Sequence, residues 1–394
     1  SHPLWSAEFS PDGQRLVLAS ADHSAAIVPL AGGPIQRLRG HTGPVYIAAF
    51  APDDRLVTVS MDHSARIWEP DGSSTRVELP GHADALGGVR LGPDRNLLLG
   101  TPPGGAAWLW QLSRPGPPLV LHGHRGSVVA ARFSADGLRI LTASADGSAR
   151  VWRFADDPDV LRGHDAGIEH ASFAPDGRSI VTASMDGTTR LWPRDGRRPA
   201  LLRGHREGSS VTAAFSPDGQ RLATAASDGL ARLWSLTSVP PTLLATLPPE
   251  PLRGPPLTEL AWSPDNHRLA LAAEDGALFL TTLGPDDRPT TTTLPGHTAA
   301  IRTLAFTPDS HRLATAGDDT TLRLWDLRAA PITSTLLTGP IPTPVPPDTN
   351  TIHGTLNQIP TPVPSGPIHA ALHTIHPPVP PDSSPPAPPV PPDS

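Results

Sequence analysis

Five times along this 394-residue chain a His, a Thr, an Asp and a Trp recur at nearly constant spacing. The sets are His41/Thr58/Asp62/Trp68, His124/Thr142/Asp146/Trp152, His164/Thr182/Asp186/Trp192, His205/Thr224/Asp228/Trp234 and His297/Thr315/Asp319/Trp325. Thr always precedes Asp by four residues, and Trp always follows Asp by six. His leads Asp by 21 to 23 residues, so the slack is confined to one hairpin. A chain built this way must fold as an array of near-identical units, each one supersecondary motif long.

Eight units can be laid out, at about 1–38, 39–79, 80–121, 122–161, 162–202, 203–252, 253–294 and 295–338. In the fifth, a Gly163-His164 turn leads into an apolar run from Ile168 to Phe173. Pro175-Asp176-Gly177 follows, then Ser179 to Ala183, Asp186-Gly187, Thr188 to Trp192 and Pro199 to Leu202. Short β-branched or apolar runs separated by Pro-Asp-Gly and Asp-Gly are hairpin signals. The connections are short enough for antiparallel neighbours, so each unit reads as a four-stranded meander. The period and its Gly-His and Trp landmarks predict an all-β propeller over residues 1–338, eight-bladed, with seven blades plus a spare unit as the alternative.

These motifs resemble the WD-repeat β-propeller family over residues 1 to about 338. The resemblance rests on Gly-His at 40–41, 123–124, 163–164, 204–205 and 296–297, and on Trp325-Asp326 as the one literal Trp-Asp. It implies that Asp accepts from His, Thr bridges the strands and the Trp indole closes the hydrogen-bonded chain. It also implies that many rings close by borrowing an outer strand from the opposite terminus. Here no outer strand precedes His2, whereas Ile332 to Leu337 can finish the last blade locally. The ring therefore closes by side-chain packing, or blades are missing upstream.

Three units depart from the pattern. The first keeps His2 and Asp22 but has Leu18 and Val28 in place of Thr and Trp. The third keeps His82 and Trp110, but Thr101-Pro-Pro-Gly-Gly replaces the Asp turn. The seventh keeps Asp275 but has Gly254-Pro255, Leu271 and Thr281 at the other positions. Thr stands only where the other three members stand. Such co-occurrence marks one hydrogen-bonded group, because a half-satisfied buried network costs more than an apolar replacement.

Composition narrows the function classes. A net charge of −7 argues against nucleic-acid and anionic-membrane partners, which need a basic field. With no Cys, disulfides and thiolate metal sites are excluded. No apolar run reaches a membrane span and no signal peptide opens the chain, so a cytoplasmic location is expected. All 31 basic residues are Arg, which suggests GC-rich bacterial coding. The start at Ser1-His2 suggests a part of a larger protein. After Leu337 the sequence becomes Pro-rich, repeating Pro-Val-Pro-Pro-Asp at 344–348, 378–382 and 389–393, so 339–394 is expected to be a disordered tail.

His, Thr and Asp are also the residue types of a hydrolytic triad. Catalysis needs one nucleophile, one base and one oxyanion site, whereas five copies suit five identical blades, so the sets are expected to be structural. An Arg two residues before Trp recurs at 66, 150, 190, 232 and 323; a buried stem with its head at the blade edge is favoured over an anion site. His369, His373 and His376 sit in the Pro-rich tail without a fourth ligand, so no metal is expected, and no cofactor motif is present.

The resemblance implies that peptides or proteins bind the face carrying the Gly-His and Asp turns. Projected here, that face carries Ala21, Met61, Ala145, Met185, Ser227, Glu274 and Asp318, each just before an Asp. Met61 and Met185 are the only Met residues, and Met is an adaptable contact side chain. Trp108, in the divergent third unit, is a second candidate. The expected function is a non-enzymatic protein-interaction scaffold. The alternative is a sensor domain acting in cis on an upstream kinase or nucleotide-switch domain, and a more remote one is a propeller hydrolase or lectin.

Overall fold

A computed structural model describes residues 4–336, apart from 52–53, 71, 81–88, 95, 115, 154–155, 210, 248–253 and 285–287. The Pro-rich tail with His369, His373 and His376 lies outside these residues, as do His2 and His82. Thirty-two strands form eight four-stranded antiparallel sheets, and every sheet is built from four strands consecutive in sequence. The fifth is typical: Ile168–Phe173 pairs with Ser179–Ser184, that with Thr189–Pro193, and that with Ala200–Leu202. The eight-bladed propeller expected from the repeat is the fold observed.

The turn chemistry explains the meander. In Ser134-Ala-Asp-Gly137, the Gly137 amide donates to the Ser134 carbonyl and Gly137 adopts φ +70°, a left-handed conformation that glycine adopts without strain. Asp136 Oδ1 accepts the Leu138 amide, which fixes the reversal. The first strand of most blades carries a bulge near its start, as between Ile168 and His170, which sets two of its residues against one of the second strand.

The core lies between blades. The second strand of each blade is covered on both faces, so Ser179–Ser184 is buried from Ile180 onward, and its run is continuous rather than alternating. Val17, Ala19 and Ile27 of the first blade pack on Val45, Phe50 and Trp68 of the second. The same packing closes the ring: Leu4, Phe9, Leu16 and Leu18 meet Ala314, Ala316, Leu322 and Leu324 of the eighth blade. The outer strand of that blade is its own Thr333–Leu336, so closure involves no exchanged strand.

Candidate functional site

All five complete sets assemble as hydrogen-bonded chains. In the fifth blade the Trp192 indole N–H donates to Thr182 Oγ1 at 2.8 Å, and Thr182 Oγ1 lies 2.8 Å from His164 Nε2. His164 Nδ1 lies 2.8 Å from Asp186 Oδ2. With Nδ1 protonated, every donor in the chain meets an acceptor. Asp186 accepts further from the Asp165 and Thr188 amides and from the Thr188 hydroxyl. One carboxylate thereby ties the turn before the first strand to the turn between the second and third.

Three other blades repeat this geometry. In the second, Thr58 Oγ1 lies 2.8 Å from His41 Nε2 and accepts from the Trp68 indole at 2.8 Å, while His41 Nδ1 stands 2.9 Å from Asp62. In the fourth, Thr142 Oγ1 joins His124 Nε2 and the Trp152 indole, both at 2.8 Å, and His124 Nδ1 is 3.3 Å from Asp146. Trp152 differs from the other four Trp anchors in being half-buried rather than buried, although its bond to Thr142 is as short as those of Trp68 and Trp192. In the eighth, Thr315 Oγ1 is 2.7 Å from His297 Nε2 and 3.0 Å from the Trp325 indole nitrogen, and His297 Nδ1 is 2.9 Å from Asp319. Thr58, Thr142 and Thr315 are fully buried, so no water competes for these hydroxyls.

The sixth blade departs from the pattern. Leu230 replaces the hydroxyl residue that follows the turn, and the buried Arg232 places Nη1 2.8 Å from His205 Nδ1. A guanidinium can only donate, so Nδ1 accepts there and the ring proton moves to Nε2. His205 Nε2 then donates to Thr224 Oγ1 at 2.8 Å instead of accepting from it. The direction of that bond is reversed in this blade. The bond from Trp234 to Thr224 lengthens to 3.3 Å, while the His205 contact to Asp228 is 3.3 Å, as in the fourth blade.

The recurring Arg serves the blade. Arg66, Arg150 and Arg190 donate to the carbonyls of Gly40, Gly123 and Gly163, at 2.7, 2.6 and 2.6 Å. This explains the Gly before His: at Gly40, φ is +155° and a Cβ would sit 2.8 Å from the Arg66 guanidinium carbon. In the eroded units apolar side chains fill the vacated space, with Leu18 and Leu271 buried at the Thr position. Trp110 of the third blade turns its indole N–H to the Pro80 carbonyl instead. The coupling read from the sequence has this physical basis.

Burial pushes the five set histidines below the ordinary value of 6.5, against the pull of their Asp partners. Burial pushes Asp186 up, but the hydrogen bonds from Thr188, His164 and the turn amides outweigh it and hold the carboxyl at about 2. A folded His with a depressed value stays neutral while its unfolded counterpart binds a proton below about pH 6.5, so stability falls on acidification. The carboxylates add their loss only below about pH 4, the unfolded range. The melting temperature is therefore expected to fall between about pH 7.5 and about pH 5. A flat or rising profile over that window in a calorimetric scan would refute the assignment.

The projected binding face is formed as follows. Met61 and Met185 are exposed at 36% and 42%, while their amides are pinned to the Pro44 and Gly167 carbonyls. Ala145, Ser227 and Glu274 are exposed in the same turns, and Ala21 is half-buried. Asp318 is half-buried and engaged by the Arg302 guanidinium, with Nε at 3.0 Å. Trp108 is not in this row. It is half-buried in Ala106–Gln111, opposite Gly100, at the strand position where other blades carry Arg, with its ring 5.8 Å from Trp110. Sequence reasoning missed an aromatic pair on the first strands of blades one and two: Trp5 and Tyr46 stack at 5.4 Å and 25°. Their shared place just after the first apolar residue of each unit was the available signal.

Together, an eight-bladed ring and these repeated sets define a propeller of structural hydrogen-bond networks. The family model described as "WD domain, G-beta repeat" matches residues 32–69, 116–153, 158–193, 196–235 and 288–326. The chain belongs to the WD40-repeat β-propeller family. Among curated relatives, the guanine nucleotide-binding protein subunit beta of Arabidopsis thaliana is 30% identical over 161 residues, 36% of this chain and 43% of that one. Apoptotic protease-activating factor 1 of Rattus norvegicus is 24% identical over 149 residues, 38% of this chain and 12% of that one. The matched region spans less than half the length of either relative. A crystal structure of the computationally designed Ika8 protein superposes with a TM-score of 0.67 at 20% identity, covering 83% of this chain and 96% of that one. WD40 propellers are typically protein-interaction scaffolds and generally non-catalytic.

Proposed function

We propose that this chain is a non-catalytic scaffold that docks a protein or peptide on the face carrying the Asp turns. The observation that carries the reading is the exposure of Met61 and Met185 on turns whose backbones are fixed by hydrogen bonds. A rigid turn presenting an unbranched thioether offers apolar area that adapts to a partner without reordering the scaffold. Trp5 and Tyr46 add a flat aromatic contact next to the second blade's turn. The proposal extends to a cytoplasmic bacterial protein of which this ring is one part.

The test is affinity capture from source-cell lysate with the intact ring and with a Met61→Glu/Met185→Glu double variant of equal melting temperature. A protein captured by the first and lost by the second supports docking on this face. Equal capture by both overturns it. A match between the ring and another domain of the same polypeptide, reduced by the double variant, would make the docking intramolecular and favour the in-cis sensor reading.

A further inference from the structure

The first strands of the eight blades line the central channel, and most of their inward positions are small. One row, the residue before the strand's final apolar or aromatic residue, runs Glu8, Ala49, Arg90, Arg132, Ser172, Ala214, Ala261 and Ala305. Two residues nearer the Gly-His end, His170, Thr212, Glu259 and Thr303 hold a second row. Nothing in the repeat demands Arg at two adjacent blades of an otherwise Ala-rich row.

A cavity of about 440 Å³ opens against this wall, lined among others by Arg132, His170, Ser172, Thr212 and Glu259. Pro175 of a Pro-Asp-Gly turn and Ala135 at the equivalent place in Ala-Asp-Gly also line it, so it lies toward the opposite face from the Met turns. Among the described residues each guanidinium makes a single hydrogen bond, to a carbonyl of its own strand: Arg132 to Ala131 at 3.1 Å and Arg90 to Val89 at 2.7 Å. Neither forms an ion pair among the described residues, and Glu259 bears on both only through space. His170 Nδ1 is buried without a hydrogen-bond partner. Protein surrounds the group closely enough to push Arg132 down to about 9 and His170 to about 3, in each case chiefly by burial and then by the neighbouring Arg charge.

Two cations with most of their donors unused face one carboxyl, whose own value burial pushes up. Such a site favours an added anion, because half-buried Arg132 and exposed Arg90 stand open to the channel with one carboxyl, exposed Glu259, for both charges, and keep donors for a ligand. The Ser172 and Thr212 hydroxyls supply neutral donors, and Glu259 can accept from, or when protonated donate to, a ligand hydroxyl. The volume falls in the range of small-molecule sites and exceeds what one ion needs. We propose that the channel on the Pro-Asp-Gly side is a receptor for a small phosphate ester, with Arg132 on the phosphate, the neighbouring Arg90 adding its charge from the next blade, and Glu259 on a hydroxyl of the same molecule.

Isothermal titration with pyrophosphate, glucose 6-phosphate and glucose tests this. One-to-one binding of both phosphates and none of glucose is expected. Arg132→Gln and Arg90→Gln are each expected to weaken it about tenfold or more. Arg302→Gln, on a residue paired elsewhere, is expected to leave it unchanged. Arg132→Lys keeps the charge and loses the fork, so measurable but weaker binding is expected if the Gln variant does not fold. Absence of saturable phosphate binding to the unaltered chain overturns the proposal. So does binding that survives Arg132→Gln undiminished, and so does a phosphoserine peptide that binds more tightly than glucose 6-phosphate.

Discussion

Asp186→Ala is expected to lower the melting temperature of the ring by about 6–10 °C, from a loss of ~3–5 kcal/mol at ~2 °C per kcal/mol. The substitution removes the acceptor of four donors at once: His164 Nδ1, the Asp165 and Thr188 amides and the Thr188 hydroxyl. His164 is sealed from solvent, so its orphaned N–H cannot recover a water. Asp186→Asn keeps one acceptor oxygen in the same shape and is expected to fall between the two. Scanning calorimetry on the three proteins decides it, and an unchanged transition for the Ala variant would remove the network from the account of stability.

The second large effect is expected at Trp325. Its side chain is 2% exposed and packs with Leu278, Leu280, Ile301 and Leu313 across the seam between the seventh and eighth blades. Trp325→Ala leaves a cavity and is expected to cost ~3–5 kcal/mol. Trp325→Phe retains most of the apolar contact and gives up the 3.0 Å bond to Thr315, so a loss of ~1 kcal/mol is expected from the hydrogen bond. Denaturant unfolding of both variants separates packing from hydrogen bonding. Equal losses for Ala and Phe would mean that the indole N–H, not the ring, holds the blade.

The architecture was legible because its hydrogen bonds impose distances along the chain. Thr182 and Asp186 must both reach His164, and Trp192 must reach Thr182, so four residue types are locked to fixed offsets. The same holds of Thr58, Thr142 and Thr224, each of which sits between a His and a Trp of its own blade. Erosion was legible for the same reason, since Thr stands at its position only in the units that also keep His, Asp and Trp. The rest depended on what meets across the ring. That Arg232 turns to His205, where Arg66 donates to the Gly40 carbonyl, goes with Leu230 standing in place of the hydroxyl that Ser64 supplies, which spacing alone does not reveal. The half-burial of Trp152 was equally hidden, because it depends on the neighbouring blade and not on the repeat. The Arg132 and Glu259 positions were invisible as a pair because they lie on first strands three blades apart and are joined only by the channel.

Closure without an exchanged strand has a consequence for how the ring could be rearranged. The seam between Leu4–Phe9 and the eighth blade is of the same kind as the other seven, a packed interface of side chains with every backbone ladder kept inside one blade. No blade boundary is privileged as the place where the polypeptide must begin. Circular permutants opened at any of the eight boundaries would preserve all sheet pairing, and whole units could be added or lost by duplication and deletion without breaking a hydrogen-bond ladder. Such a ring is topologically free to change its blade number, and its limit is the angle at which neighbouring faces still interdigitate.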